Sequence, residues 1–166
     1  MNPIKVLFIC HGNICRSPMA EYIFKDMIEK RGLMDMFEVA SAATSTEEIW
    51  MGQGNPIYPP AQAELKKHEI GNTAFTNFSG KRAVQITKSD YSKYDYILCA
   101  DSNNISSTIR ITGLDVDDKI KLLLDFSQDE SKRGRSIADP WYSRNFEQTY
   151  IDICDGLEGF LNYLKM

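Results

Sequence analysis

The sequence contains few of the residues from which metal sites and disulfide frameworks are built. Its 166 residues include four cysteines and two histidines. These show none of the paired short spacings that zinc sites use, such as C-x2-C with H-x3-H. Four cysteines in a chain of this length are also too few for a disulfide scaffold. We therefore expect no metal and no cofactor, and any chemistry of the cysteines should be thiol chemistry.

The sequence also lacks long apolar runs and an excess of basic residues. Its first apolar stretch, residues 4–9, is too short for a signal-peptide core or a membrane span. The formal net charge is −4, whereas a nucleic-acid-binding face needs a basic stripe. The densest basic run, residues 132–135, follows two acidic residues in a polar stretch. We expect a cytoplasmic protein that neither inserts into membranes nor binds nucleic acid.

The first thirty residues predict a strand followed directly by a helix. The near-continuous apolar run at residues 4–9 is typical of a strand buried on both faces of a parallel sheet. Apolar residues then recur at helical spacing over residues 20–28. Ser17 is placed to cap this helix and Pro18 to be its first residue.

The rest of the chain continues the alternation of strands and helices. Strands are predicted at residues 37–41, 94–100 and 119–124, and helices at residues 59–68, 101–111 and 150–164. Residues 127–136 are polar and should form an exposed, mobile loop. The alternation predicts one domain, residues 1–166, folded as a three-layer α/β sandwich with a central four-stranded parallel sheet and helices on both faces.

The segment between the first strand and the first helix is where such a sheet binds ligands. It begins at Cys10 and ends at Ser17. Backbone N–H groups at a helix N-terminus are unpaired and favour anions, so a tight loop there can hold phosphate oxygens. Thiols at such positions have pKa values of about 3.5 to 7.5, below the usual value of about 8.5. We therefore expect Cys10 to act as an ionised nucleophile at neutral pH.

Four other residues of this loop have predicted roles. A closed loop can bring the guanidinium of Arg16 to the anion above the sulfur of Cys10, where its planar fork holds two oxygens. Ser17 can donate its hydroxyl to the thiolate. Gly12 should give the backbone its freedom to curve, and Asn13 should hold the curve by side-chain hydrogen bonds. Taken singly, the cysteine could be a buried strand end and the arginine a surface cation, but their C-x5-R-S spacing favours a phosphate site.

This loop resembles the signature of the low-molecular-weight protein tyrosine phosphatases. Their pattern, a strand followed by C-x-G-N-x-C-R-S-P, is matched by LFICHGNICRSP, and the chain is also similar at residues 41–45, 54–56, 95–101 and 139–142. The resemblance implies a flavodoxin-like fold of the phosphotyrosine protein phosphatase I type. It also implies hydrolysis of phosphotyrosine and aryl phosphates through a phosphocysteine on Cys10. Tyrosine-phosphorylated proteins or peptides would then be the substrates, and inorganic phosphate or other oxyanions would be inhibitors.

The resemblance also implies roles for three residues near the C-terminus. By itself, Asp139 is a candidate acid in an aromatic-flanked loop, although Asp-Pro is equally a common way to open a turn. The resemblance makes it the general acid that protonates the leaving phenolate and later activates water. It places Trp141 and Tyr142 on one wall of a deep cleft, which would favour phosphotyrosine over the shorter phosphoserine.

Two further residues take supporting roles from the resemblance. Ser41 would belong to the hydrogen-bond network behind the phosphate loop, with Asn13, or it could simply cap its strand. Cys15 would form a reversible disulfide with Cys10 under peroxide, or it could be only a small buried side chain.

The chain departs from the family pattern at two places. His11 follows the nucleophile where the family more often has Leu, Val or Thr; its backbone N–H can still bind phosphate, while its side chain could change pH dependence or substrate contacts. The loop at residues 46–53 is about four residues longer than expected from the pattern. Within it, Trp50 is a candidate for the opposing cleft wall, and Glu47 and Glu48 could favour substrates with basic flanks.

The sequence also admits three alternatives to a tyrosine phosphatase. A protein-arginine phosphatase is the nearest alternative, but that branch of the family looks to have Thr where this loop has Ile14. Arsenate reductases share the fold and need a mobile pair of cysteines, whereas Cys99 lies in an apolar strand with no cysteine near it in sequence. Phosphocarrier domains keep their phosphocysteine because they lack a water-activating acid, so Arg16 and Asp139 argue against that class.

Overall fold

The computed structural model describes residues 2–166 and contains a four-stranded parallel sheet. The strands in chain order are β1 (Ile4–Cys10), β2 (Phe37–Ala43), β3 (Ile49–Trp50), β4 (Gln53–Gly54), β5 (Tyr96–Cys99) and β6 (Ile120–Leu122). The sheet has the order β2-β1-β5-β6, and each neighbouring pair is parallel. Strands β3 and β4 form a separate antiparallel hairpin. Because β1 lies between β2 and β5, its carboxyl end lies near the middle of the sheet edge formed by the strand ends.

Helices cover both faces of this sheet. They are α1 (Arg16–Lys30), α2 (Pro59–Lys67), α3 (Asp90–Lys93), α4 (Ser102–Thr112), α5 (Pro140–Ser143) and α6 (Phe146–Tyr163), with short 3₁₀ helices at Met34–Met36, Leu123–Phe126 and Glu130–Lys132. No helix within residues 2–166 is both long enough and apolar enough to cross a membrane.

Alternation along β1 explains why both faces are covered. Val6 and Phe8 belong to one core cluster, which they share with buried residues of α1 and α6. Leu7 and Ile9 belong to a second cluster on the other face, against which residues of α4 such as Ile105 pack. Successive side chains of a strand point to opposite faces of the sheet. A continuous apolar strand is therefore buried only if helices pack on both faces. The predicted three-layer α/β sandwich with a four-stranded parallel sheet is confirmed.

The start of the first helix differs from the prediction. Helix α1 begins at Arg16, so Ser17 is its second residue and Pro18 its third, and its N-cap Cys15 makes no side-chain cap. Ser17 does not cap the helix because its hydroxyl is used within the loop, where it lies 3.0 Å from Cys10 Sγ. Pro18 still lies in the first turn, where a backbone N–H has no intrahelical partner to lose.

The end of β6 and the start of α6 also differ from the predicted boundaries. Strand β6 ends at Leu122, and the apolar residues that follow it form the 3₁₀ helix Leu123–Phe126. Helix α6 begins at Phe146, earlier than its apolar stripe suggested, because the Asn145 side chain accepts a hydrogen bond from the N–H of Gln148 and caps the helix.

The polar stretch at residues 127–136 is only partly as predicted. Most of it is exposed, but Ser127 is fully buried and its hydroxyl donates to Asp155 on α6 at 2.8 Å. Lys132 also lies 3.3 Å from the same carboxylate. This segment is therefore anchored to the C-terminal helix at both its start and its middle.

Candidate active site

The loop between β1 and α1 curves through a left-handed residue at Asn13. Its φ is 60°, and its backbone N–H donates to Cys10 Sγ at 3.3 Å. We predicted that Gly12 would supply this freedom, and that prediction was wrong, because asparagine is among the few side chains that tolerate the left-handed region. Gly12 instead allows a close approach, since a Cβ there would lie 3.2 Å from Cγ of Glu48.

The side chain of Asn13 holds the loop at three points. Its Oδ1 accepts from the N–H of Val84 at 3.1 Å. Its Nδ2 donates to Ser17 Oγ at 2.8 Å and to Ser41 Oγ at 2.9 Å. The structure thus brings Asn13, Ser17 and Ser41 together directly behind the cysteine, and these bonds offset the cost of the left-handed backbone.

The two cysteines of the loop have different surroundings. Cys10 lies at the floor of a cleft, 3% exposed, with Ser17 Oγ 3.0 Å from its sulfur. Burial, reinforced by the nearby charges of Cys10 and Asp139, raises the pKa of Cys15 to about 12. Cys15 is therefore protonated at neutral pH. Both thiols are free in this structure.

Arg16 is buried, is held by two hydrogen-bond acceptors and lies near a third carboxylate. Its Nη1 donates to Oδ2 of Asp101 and to the carbonyl of Ile137, both at 2.8 Å, and its Nη2 lies 3.6 Å from Oδ2 of Asp139. Burial alone would lower the pKa of Arg16, but the negative charges at Cys10, Asp101 and Asp139 raise it. The guanidinium is therefore a permanent cation held beside the sulfur.

Asp101 belongs to the candidate site through its contact with Arg16, and the sequence analysis did not identify it. It was expected only to begin the helix after β5, and its Oδ1 does cap α4 by accepting from the N–H of Asn104. Its other oxygen, Oδ2, holds Arg16. The sequence carried only part of the signal, because Asp101 directly follows a predicted strand and the carboxyl ends of parallel strands lie at one sheet edge. The pairing of β5 with β1 is seen only in the structure.

Asp139 reaches the same cleft from the loop before α5. Its Oδ1 accepts from the N–H of Trp141 at 3.0 Å and caps the short helix. Its Oδ2 faces Arg16, and the side chain is 31% exposed. One carboxylate oxygen is thus held by the backbone while the other faces the open cleft, as a group that exchanges protons with a ligand requires.

One cleft contains most of the residues that the sequence singled out. It is lined by Cys10, His11, Gly12, Ile14, Cys15, Arg16, Glu47, Glu48, Asp139, Trp141 and Tyr142. Trp141 packs against the ring of Tyr58, with centroids 4.9 Å apart, and the guanidinium of Arg144 lies 5.5 Å from its ring.

Trp50 lies outside this cleft, and its assignment as the opposing wall requires correction. The side chain is 78% exposed on the β3–β4 hairpin. Ile49 packs on the core, and because successive strand residues point to opposite sides, Trp50 points to solvent. Glu47 and Glu48, just before the hairpin, line the cleft instead.

The side chain of His11 lies at the rim of the cleft. Its Nε2 is 3.0 Å from Oε2 of Glu47, and its backbone carbonyl accepts from the hydroxyl of Ser45 at 2.9 Å. These contacts join the loop at Cys10 to the segment just before the hairpin. Over residues 2–166, no group of three or more His, Cys, Asp or Glu side chains could hold a metal ion.

Comparison of the sequence with known families and proteins gives one consistent result. A model of the family described as low molecular weight phosphotyrosine protein phosphatase matches residues 5–166. The low molecular weight protein-tyrosine-phosphatase YfkJ of Bacillus subtilis is 37% identical over 158 residues, which cover 95% of this chain and 94% of that protein. A low molecular weight phosphotyrosine protein phosphatase of Gallus gallus is 38% identical over 158 residues, covering 94% and 92%.

Comparison with solved structures agrees. The crystal structure of YfkJ matches with a TM-score of 0.87 and 35% identity, covering 99% of this chain and 96% of that one. The structure of a Drosophila arginine phosphatase matches with a TM-score of 0.79 and 29% identity, covering 98% and 99%. The likeness thus extends through the whole fold, beyond the loop at Cys10.

Proposed function

The chain belongs to the low molecular weight phosphotyrosine protein phosphatase family, and we propose that it hydrolyses phosphotyrosine through a phosphocysteine on Cys10. Membership makes it a phosphatase. One observation supports the mechanism above all: Cys10, Arg16 and Asp139 line a single cleft, with the arginine and the aspartate 3.6 Å apart. Nucleophile, phosphate clamp and proton donor are thus within reach of one phosphate ester.

The first half of the reaction transfers the phosphoryl group to sulfur. The thiolate of Cys10 attacks phosphorus and forms the S–P bond while the bond from phosphorus to the aryl oxygen breaks. That oxygen takes the proton of Asp139. The hydrogen bonds of Arg16 to Asp101 and Ile137 use Nη1, so Nε and Nη2 are left to donate to the equatorial oxygens of the transferring group.

The second half clears the intermediate. Asp139, now a carboxylate, takes a proton from a water molecule as the water oxygen attacks phosphorus. The S–P bond breaks and its electron pair goes to sulfur, which restores the thiolate of Cys10. Inorganic phosphate then leaves the site. Ser17 Oγ, 3.0 Å from that sulfur, donates a hydrogen bond that makes the thiolate a better leaving group.

The substrate preference follows from the depth and walls of the cleft. Cys10 is nearly fully buried at its floor, and Trp141 and Tyr142 stand at its wall. A phosphotyrosyl ring is long enough to bring its phosphate to the floor and can stack on these aromatics. A phosphoseryl side chain is too short to do so. We propose tyrosine-phosphorylated proteins and peptides as substrates, with aryl phosphates as small analogues.

A protein-arginine phosphatase is the second candidate, because one structural relative is an arginine phosphatase. Ile14 lines the cleft here and favours an aryl group over a polar guanidinium. Arsenate reduction has less support, since burial raises the pKa of Cys99 to about 12 and leaves it a poor thiol for a disulfide relay.

A substrate panel tests the proposed function. Phosphate release should be measured from p-nitrophenyl phosphate, phosphotyrosine, phosphoserine and phosphoarginine, with arsenate reduction assayed alongside. We expect hydrolysis of the two aryl esters, and inorganic phosphate and related oxyanions should inhibit competitively. A preference for phosphoarginine, or the absence of any phosphatase activity, would refute the assignment.

We also propose a cytoplasmic setting for this activity. All four cysteines of the chain are free, and the proposed nucleophile works only as a reduced thiolate. Reducing compartments keep thiols in that state. Oxidation by peroxide, with Cys15 as resolving thiol, would reversibly inactivate the enzyme.

The proposed acid is tested by Asp139→Asn. The asparagine keeps an oxygen to cap α5 but has no proton to give the leaving group, so we expect phosphorylation of Cys10 by phenyl phosphate to slow by about 100-fold or more. With p-nitrophenyl phosphate, whose leaving group needs little protonation, a burst of one nitrophenolate per active site should persist before slow turnover. Rapid-mixing kinetics measure both, and an equal loss of phosphorylation rate with the two esters would contradict the role.

The cleft wall is tested by comparing two tryptophans. Because an aromatic stacking contact contributes about 0.5–1.5 kcal/mol, Trp141→Ala should raise KM for a phosphotyrosyl peptide by about two- to tenfold. Trp50→Ala is the matched control and should leave KM unchanged, since that ring lies outside the cleft. A rise in KM from Trp50→Ala alone would restore the role first predicted for it.

A further inference from the structure

Two acidic side chains line the cleft near its opening and take no part in the mechanism above. They are Glu47 and Glu48, and they directly precede the β3–β4 hairpin, in the loop that is longer than the family pattern. The proposed acid Asp139 is a third carboxylate of the lining. Within residues 2–166, Arg16 is the only lysine or arginine that lines the cleft, and it is buried at the floor. The cleft therefore combines a positive floor with a negative rim.

Glu48 is held in place by the residue that follows the hairpin. Its Oε2 accepts from Nδ2 of Asn55 at 2.7 Å, and its backbone carbonyl accepts from the N–H of Asn55 at 2.8 Å. On its other side the stem of Glu48 packs against the phosphate loop, where a Cβ at Gly12 would lie 3.2 Å from its Cγ. The side chain of Glu48 is therefore held against the loop that binds the phosphate.

Glu47 lies beside the start of the same loop and is more open to solvent. Its Oε2 is 3.0 Å from Nε2 of His11, and its side chain is 69% exposed. Its backbone N–H donates to Ser45 Oγ at 3.4 Å. Within residues 2–166, no lysine or arginine forms an ion pair with Glu47 or Glu48. Both carboxylates are thus available to a cation that the substrate brings.

The two carboxylates act differently on different phosphate esters. A phosphate group at the floor is repelled by negative charges at the rim, so a small ester without further charges gains nothing from them. A peptide that carries lysine or arginine beside its phosphotyrosine meets an attractive charge at the rim while its phosphate meets Arg16. A peptide with acidic residues in the same places adds a second repulsion. The rim therefore distinguishes substrates by their flanking charge.

We propose that Glu47 and Glu48 are specificity-determining residues, which select phosphotyrosine sites flanked by lysine or arginine and reject sites flanked by acidic residues. The inference rests on the proposed function, because it concerns the same cleft and the same reaction. A single exposed ion pair contributes little, but here two adjacent carboxylates act on one flank and one of them is held by Asn55. Repulsion of the wrong partner adds to attraction of the right one.

Three peptides that differ only beside a central phosphotyrosine test this selection. The two residues on each side are lysine in the first peptide, alanine in the second and glutamate in the third. At low ionic strength we expect kcat/KM of the wild type to fall in that order, with about tenfold between the lysine and glutamate peptides. High salt should bring the three values together, because it screens interactions between exposed charges.

The variant Glu47→Gln/Glu48→Gln removes both charges and keeps the shape of both side chains. An amide oxygen at position 48 can still accept from Asn55, so the loop should keep its structure. We expect the ratio of kcat/KM between the lysine and glutamate peptides to fall to about twofold. KM for p-nitrophenyl phosphate, which has no flanking residues, should fall by about twofold because the repulsion is relieved. A general loss of structure would not improve one substrate while it weakens another.

The matched control is Glu38→Gln/Glu158→Gln, which removes two exposed carboxylates far from the cleft. Glu38 lies at the amino end of β2 and pairs with Lys5, and Glu158 pairs with Arg31 at the far end of α1. The peptide ratio of this variant should equal that of the wild type. Equal kcat/KM for the three peptides in the wild type, or an unchanged ratio in the Glu47/Glu48 variant, would overturn the inference and leave the proposed function intact. Failure to hydrolyse any phosphotyrosyl peptide would instead refute the proposed function, and the inference with it.

Discussion

Cys10→Ser is expected to abolish turnover of p-nitrophenyl phosphate, with kcat lowered by at least about 10⁴-fold. A serine hydroxyl is a weak nucleophile unless a neighbouring base removes its proton. The groups within hydrogen-bond distance of Cys10 Sγ are the hydroxyl of Ser17 and the N–H of Asn13, and neither is a base. The substitution changes one buried atom, so the fold and the phosphate site should persist. Steady-state assays measure the loss, and phosphate-dependent thermal stabilisation reports the intact site.

Cys15→Ser is the matched control, because it makes the same atomic change five residues along the same loop. Burial raises the pKa of the Cys15 thiol to about 12, which makes it a poor nucleophile at neutral pH, so this variant should keep activity within about tenfold of the wild type. Wild-type turnover in Cys10→Ser, or a larger loss from Cys15→Ser than from Cys10→Ser, would assign the reaction to a different group.

The arrangement of the loop could be predicted from sequence because it is local. A strand, a loop of fixed length and a helix follow one another, so the spacing between Cys10 and Arg16 already limits where the guanidinium can lie. Apolar runs also indicated the other three strands of the parallel sheet, and the parallel sheet itself was predicted from their alternation with helices. The hairpin of β3 and β4 was not predicted. The resemblance to a known family supplied the proposed role of Asp139, which the residues alone left as either an acid or a turn opener.

Contacts between distant segments were not predictable in the same way. Asp101 lies 85 positions from Arg16, and only the pairing of β5 with β1 brings them together. Glu21 lies on a helix predicted to be amphipathic, where a polar residue is expected to face water. It is buried because this side of α1 lies against β2, where Ser41 and Lys81 supply its partners.

The error at Trp50 has a different cause. An aromatic residue in a loop beside an active site is a reasonable candidate for a wall, and the extra length of the loop invited that reading. The loop forms its own hairpin, with Met51 and Gly52 both at positive φ in the two-residue turn. Once a strand forms there, alternation decides which residue faces the core, and Ile49 takes that position.

Arg16→Lys is expected to lower kcat/KM by at least about 10³-fold although the positive charge is retained. In the structure one guanidinium nitrogen holds Asp101 and the carbonyl of Ile137, which leaves the other nitrogens for phosphate. A lysine has a single nitrogen and cannot serve the anchors and two phosphate oxygens together. Steady-state kinetics with p-nitrophenyl phosphate measure the loss, and most of it should appear in kcat because the planar fork matches the transition state best.

Arg144→Lys provides the control for this substitution. Arg144 is an exposed arginine at the back of the cleft wall, where it donates to the hydroxyl of Tyr58 at 3.0 Å, and its replacement should change kcat/KM by no more than about threefold. If Arg16→Lys also stayed within tenfold of the wild type, charge alone would account for phosphate binding. The hydrogen bond by which Asp101 orients the guanidinium of Arg16 would then have no effect on catalysis. A large loss confined to Arg16 means that catalysis needs the geometry of the guanidinium, which the ends of β5 and β1 set together.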